Sequence, residues 1–123
     1  MNIAEKLKEQ NPEMFDKVME LKNKQTFEEL SEKVLQWGLE KNIIVPQNQL
    51  RQALKMVSEV GELCDAIIKN DKENQIDAVG DVLVTIIILS EQLGYHPVKC
   101  LDVAYNQIKN RTGKTINGTF IKD

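Results

Sequence analysis

The chain has 123 residues and a mass of 14.1 kDa, which is room for one domain. Leu, Ile, Val and Phe make up about 30% of it, above the roughly 20% below which disorder is expected. Sixteen Lys and Arg against 19 Asp and Glu leave a formal charge of −3, without the basic excess of a nucleic-acid binder.

Along the chain the pattern reads as helix after helix. Met1 to Gln10 is charged and polar, with no signal-peptide core. Asn11-Pro12 joins an N-cap acceptor to a residue whose missing N–H costs nothing at the first helical position. Phe15, Val18 and Leu21 then recur at helical spacing. Thr26-Phe27-Glu28-Glu29 reads as a capping box, with Thr26 as N-cap and Glu29 reaching back. Phe27, Leu30, Val34 and Trp37 follow at intervals of 3, 4 and 3, one helical stripe.

After Pro46 a long helix is predicted from about Gln47 to Lys69, with an apolar set of Leu50, Ala53, Leu54, Val57, Val60, Cys64, Ile67 and Ile68. Asn70-Asp71-Lys72 is a polar break. The next helix, from about Glu73 to Leu93, stops at Gly94 as a left-handed C-cap. Its centre, Val82 to Leu89, is rich in β-branched residues, and propensity alone favours a strand. An apolar run continuous with amphipathic flanks and closed by Gly instead predicts a buried central helix. At eight residues it falls far short of the roughly 20 that span a bilayer.

His96-Pro97 opens a last helix with Val98, Leu101, Tyr105 and Ile108 in phase, His96 serving as N-cap. Asn117-Gly118 between short β-formers is a two-residue hairpin signal. The expectation is an all-α helical bundle of about five helices with a short C-terminal β-hairpin. Residues 1–25 are expected as a helical extension and 26–123 as the main domain, forming a single globular unit. Cys64 and Cys100 belong to no CxxC pair or His cluster, which points to free thiols in a reducing cytoplasm. A core this small gains from self-association, so a homo-oligomer is expected, dimer or tetramer.

The acidic residues carry the most information. At about 100° per residue from Glu59, Glu62 lies at about −60° and Lys55 at about −40°, while the apolar set spans about 80° to 220°. Glu59 and Glu62 therefore share one narrow face, at a spacing that lets both reach one cation. Asp77 and Asp81 share a face of the next helix. Asp81 directly precedes the most apolar run, so it must be solvated by a cleft, paired or metal-bound. Antiparallel packing of the two helices would bring the acidic pairs together as an oxygen-only site. Such a site suits Mg²⁺ or Mn²⁺ better than zinc; the alternative is a solvated helix face. Gly61 and Gly80, each beside an acid inside a helix, cost about 1 kcal/mol relative to Ala unless packing requires them.

Lys55-Met56-Val57-Ser58-Glu59-Val60-Gly61-Glu62-Leu63 and, with 14 residues between Glu62 and Asp77, Asp77-Ala78-Val79-Gly80-Asp81-Val82-Leu83 resemble the MazG-type all-α nucleoside triphosphate pyrophosphohydrolases. The resemblance runs from roughly Phe27 to Phe120. It implies an enzyme of nucleotide-pool housecleaning that hydrolyses NTPs or dNTPs to monophosphate and pyrophosphate with Mg²⁺. On the family pattern E-E-x-x-E, gap, E-x-x-D, it implies Glu59, Glu62 and Asp81 as catalytic metal ligands. Ser58 stands at the first Glu of that pattern and Ala78 at the Glu of E-x-x-D, with Asp77 substituting one residue earlier.

Asn106-Gln107-Ile108-Lys109-Asn110-Arg111 resembles the Asn/Lys/Arg end of related enzymes, which implies Asn106, Lys109 and Arg111 as phosphate and sugar contacts. Trp37 is open between stacking on a nucleobase and core packing in its stripe. Lys55 is open between a phosphate contact and an i,i+4 pair with Glu59. The charge is divided to suit Mg²⁺–NTP: Pro97 to Asp123 carries a net +3 and Lys55 to Asp81 a net −4. No P-loop, GxGxxG or Ser-His-Asp arrangement is present. The other classes consistent with the sequence are a non-catalytic nucleotide-binding module and a structural helical module.

Overall fold

In a computed structural model that describes residues 2–22 and 25–123, the described residues form six α-helices and one β-hairpin. The remaining positions of the predicted N-terminal extension, 1, 23 and 24, lie outside the described residues, as does the side chain of Leu21 from its predicted stripe. The order is α1 (Ile3–Gln10), α2 (Pro12–Lys22), α3 (Phe27–Glu40), a 3-10 turn (Pro46–Asn48), α4 (Gln49–Ile68), α5 (Lys72–Gln92), α6 (Pro97–Ile108), β1 (Gly113–Ile116) and β2 (Thr119–Lys122).

Capping chemistry sets the boundaries. The polar opening forms a helix of its own, one more than expected, because Asn2 and Glu5 make a full capping box around its first turn. Asn11 Oδ1 accepts the Met14 N–H at 3.1 Å and starts α2. Thr26 accepts the Glu29 N–H at 3.1 Å, but among the described residues the Glu29 side chain does not return the bond, so only half the predicted box forms. Asp71 caps α5 through the Asn74 N–H. Gly94 closes the connection after α5 with φ +89, a left-handed turn that glycine adopts without strain. His96 caps α6 through Nδ1, which accepts the Val98 N–H at 3.2 Å, while Nε2 faces Glu32 Oε1 on α3 at 2.8 Å. Asn117 (φ 51) and Gly118 (φ 79) both take positive φ, as a tight two-residue hairpin turn requires.

Val82 to Leu89 is helical throughout, so context overrides its β-propensity. Three glutamine amides fix the pairing of α4 with α5. Gln49 donates to the Gln92 carbonyl at 3.0 Å, Gln52 to Thr85 at 3.2 Å and Gln75 to Ala66 at 3.2 Å. Ascending positions on one helix meet descending positions on the other, which makes the pair antiparallel. On α5 rest α3 and α6, while α1 pairs with α2. Leu35, Ala66, Ala78, Ile87 and Ile88 form the small buried core. Gly38 lets α3 approach closely, since a Cβ there would lie 2.9 Å from Ile44 Cδ1. Among the described residues no helix is long and apolar enough to cross a membrane.

Two helices bury a different face from the one their apolar stripes suggest, about 90° round from it on α3 and opposite to it on α4. On α3 the buried residues are Ser31, Leu35 and Gly38, whereas Phe27, Leu30 and Trp37 are exposed. This corrects the core-packing reading of Trp37, which is 46% exposed within the chain. On α4 the buried residues are Gln52, Glu59 and Ala66, and Leu50, Leu54, Val57, Cys64 and Ile68 face solvent. Every residue from 101 to 123 is exposed as well. The apolar periodicity is real, but among the described residues these stripes stay exposed.

Candidate metal centre

The α4–α5 register places Glu59 and Glu62 opposite Asp81. One carboxylate oxygen from each lies within 4.8 Å of the others. The three differ in environment. Glu59 is 6% exposed, Asp81 half-buried and Glu62 exposed. Lys55, one turn before Glu59, places Nζ 2.9 Å from Glu59 Oε1. The other oxygen of Glu59, Oε2, is buried with no hydrogen-bond partner. A buried carboxylate oxygen without a donor is costly, and a cation shared with Glu62 and Asp81 would satisfy it.

The electrostatics have the same cause. The hydrogen bond from Lys55, with the Glu62 carboxyl close by, holds the Glu59 carboxyl below the ordinary range. The Glu59 carboxylate beside it pushes Glu62 up. Burial raises Asp81, helped by the charges of Asp77 and Glu59. The Lys55 ammonium rises through its bond to Glu59. One carboxylate is thus neutralised by a lysine while its neighbours retain protons more readily than usual, the signature of excess negative charge at close range. A divalent cation relieves that repulsion, and an all-oxygen donor set with an open side suits Mg²⁺ or Mn²⁺. The residues therefore fit such an ion.

The charge of Asp77 acts on Asp81, and Asp77 lines a cleft of about 270 Å³ with Glu62, Asp81, Asp65, Lys69 and Asn74. Lys69 and Asn74 were not singled out by motif. Their signal lay in phase: Lys69 is two turns after Glu62, and Asn74 one turn before Asp77. Of the predicted substrate contacts, only Lys55 adjoins the acids. Trp37 sits in a separate apolar recess with Leu30, Lys33, Val34 and Val84. Asn106, Lys109 and Arg111 lie exposed at the end of α6 and just beyond it, with Arg111 beside Ile108 and Phe120. At about 100° per residue, Leu83 and Ile86 fall about 140° to 200° round α5 from Asp81. Those two line the groove where α5 meets Pro97 and Leu101 of α6. Within one chain, then, α6 packs on the back of α5, away from the carboxylates.

The family profile described as MazG nucleotide pyrophosphohydrolase domain matches residues 47–111, a stretch that holds α4, α5, α6 and all four acids. An uncharacterized 18.2 kDa protein from the rep-hol intergenic region of Haemophilus phage HP1 is 31% identical over 65 residues, which cover 53% of this chain and 40% of the phage protein. The match thus spans less than half the length of that relative. No solved structure matches the chain.

Proposed function

The chain belongs to the MazG nucleotide pyrophosphohydrolase domain family, and we propose that it hydrolyses nucleoside triphosphates, ribo or deoxy, to the monophosphate and pyrophosphate with Mg²⁺. The observation that carries this reading is the unpartnered, buried Oε2 of Glu59 beside Glu62 and Asp81. Glu59, Glu62 and Asp81 would hold the ion, with Asp77 beside them. When bound, Mg²⁺ neutralises phosphate charge and lowers the pKa of water. Glu59 orients the attacking water and takes its proton. The water oxygen bonds to the α-phosphorus as the bond from that phosphorus to the bridging oxygen breaks, and pyrophosphate leaves.

Lys55 turns from Glu59 to the phosphates when substrate arrives. Trp37 stacks on the base, and Asn106, Lys109 and Arg111 hold phosphate and sugar. Because α6 points away from the acids of its own chain, those three residues serve a site in a homo-oligomer, dimer or tetramer. The exposed stripes of α3 and α4 support such an assembly. The setting is cytoplasmic, and the role is clearing nucleotides from the pool.

Pyrophosphate release measured across the eight canonical NTPs and dNTPs, with and without Mg²⁺, tests the proposal. Metal-dependent release with at least one substrate is expected. A second reading draws on Ser58 and Ala78, which lack the carboxylates of the family pattern: a nucleotide-binding module without turnover. Tight Mg²⁺–nucleotide binding with no pyrophosphate released would select it.

A further inference from the structure

The exposed stripe of α4 has a regular form. Measured from Glu59 at about 100° per residue, Leu50, Leu54, Val57, Gly61, Cys64 and Ile68 fall at about 140° to 220°. Their steps are 4, 3, 4, 3 and 4, the repeat of a two-helix seam. The ends are the barest part, with Leu50 75% and Ile68 81% exposed.

The stripe is also self-complementary. Laid antiparallel on a second copy and centred on residue 59, Leu50 meets the partner's Ile68, Leu54 meets the partner's Cys64 and Val57 meets the partner's Gly61. Every residue of the seam finds an opposite number. Beside the seam, on one flank at about 240° to 280°, stand Arg51, Ser58 and Asp65. In the same antiparallel register Arg51 and the partner's Asp65 share one flank, two positions or about 3 Å apart along the axis and within side-chain reach, and the pair forms twice by symmetry. A parallel arrangement would put the two charged flanks on opposite sides of the seam and set glycine against glycine. Within the chain, among the described residues, Arg51 and Asp65 have no ion pair or side-chain hydrogen bond. Gly61 lies in open space, with nothing within 4 Å of an added Cβ. The packing reason for that glycine is therefore absent inside the chain and present against the partner's Val57.

We propose that this face of α4 is a two-fold antiparallel seam with a second copy of the chain, flanked by two Arg51–Asp65 pairs. The inference rests on the homo-oligomer reading above and names its surface. The apolar residues of the seam lie across α4 from Glu59, and Asp65, which also lines the acidic cleft, stands at the border between the two.

The test uses a built-in thiol. In a Cys100→Ser background, Leu54→Cys places a new thiol opposite the partner's Cys64. Mild oxidation with copper–phenanthroline should link the chains into a dimer that a reductant reverses. The background alone should stay unlinked, because ten helical positions hold the two Cys64 residues about 15 Å apart along the axis, beyond disulfide reach. In parallel, Gly61→Arg fits the open space of a lone chain but blocks the seam. Sedimentation equilibrium should show its mass halved, with helical circular dichroism kept. A monomeric wild type would remove the homo-oligomer reading and this seam with it. An oligomeric wild type with no Leu54→Cys cross-link, or with Gly61→Arg at wild-type mass, would overturn the seam alone.

Discussion

Replacing Glu62 with Gln keeps the shape of the side chain and removes one of the three carboxylates that converge within 4.8 Å. Its consequences have opposite signs with and without metal. In the metal-free protein the carboxyl of Glu62 is raised by its neighbour Glu59. A raised carboxyl favours the fold below its unfolded pKa, and the benefit is lost as pH rises through the folded value. At neutral pH the ionised Glu62 only repels Glu59, so Glu62→Gln should raise the metal-free melting temperature.

With metal the order reverses. An ion at 100 times its dissociation constant adds about 2.7 kcal/mol. For a domain of this size, with an unfolding entropy of about 0.26 kcal/mol/K, that is a shift of about 10 °C. Loss of a direct ligand should weaken binding by at least the ~100-fold at the upper end for lost ligand support. At the same Mg²⁺ or Mn²⁺ concentration the variant then gains about 0.4 kcal/mol, or about 2 °C. Scanning calorimetry of both proteins at fixed free metal reads the two effects together. A metal-induced shift in Glu62→Gln equal to that of the wild type would refute the ligand assignment.

Three other outcomes are expected. Glu59→Gln should lower the turnover of pyrophosphate release by about 10²- to 10⁴-fold while leaving helical content intact, as read by a coupled phosphate assay and circular dichroism. Asp81→Asn should show no stability advantage at pH 3, where both forms are neutral, and a growing one as pH rises through the elevated value of Asp81; metal-free urea melts at a series of pH values measure it. Ile88, among the described residues the largest fully buried side chain at 2% exposed, should cost about 2–5 kcal/mol when cut to Ala, seen as a lower urea midpoint.

The metal centre depends on interactions far from its own chemistry. Two rungs of glutamine amides bracket the acids: Gln52 to the Thr85 carbonyl on one side, Gln75 to the Ala66 carbonyl on the other. A slip of one residue would turn Asp81 about 100° away from Glu59. Burying polar amides between two helices costs desolvation, yet their directionality selects a single register where apolar contacts would accept several.

Much was legible in the linear order of residues. Asn11, Thr26 and His96 announced helix starts, Gly94 an end and Asn117-Gly118 a turn, because capping and positive φ are local matters. The spacing of Glu59 with Glu62, and of Asp77 with Asp81, likewise placed each pair on one face without any knowledge of packing. Tertiary structure alone decided that Glu59 is the buried acid, since its neighbours across the interface come from 22 residues further on. It also decided which sides of α3 and α4 are covered. Periodicity tells which face of a helix avoids water, but not whether its own chain or another supplies the cover. Here α5 takes the faces bearing Ser31, Leu35, Gln52 and Glu59, and leaves the oilier stripes outward.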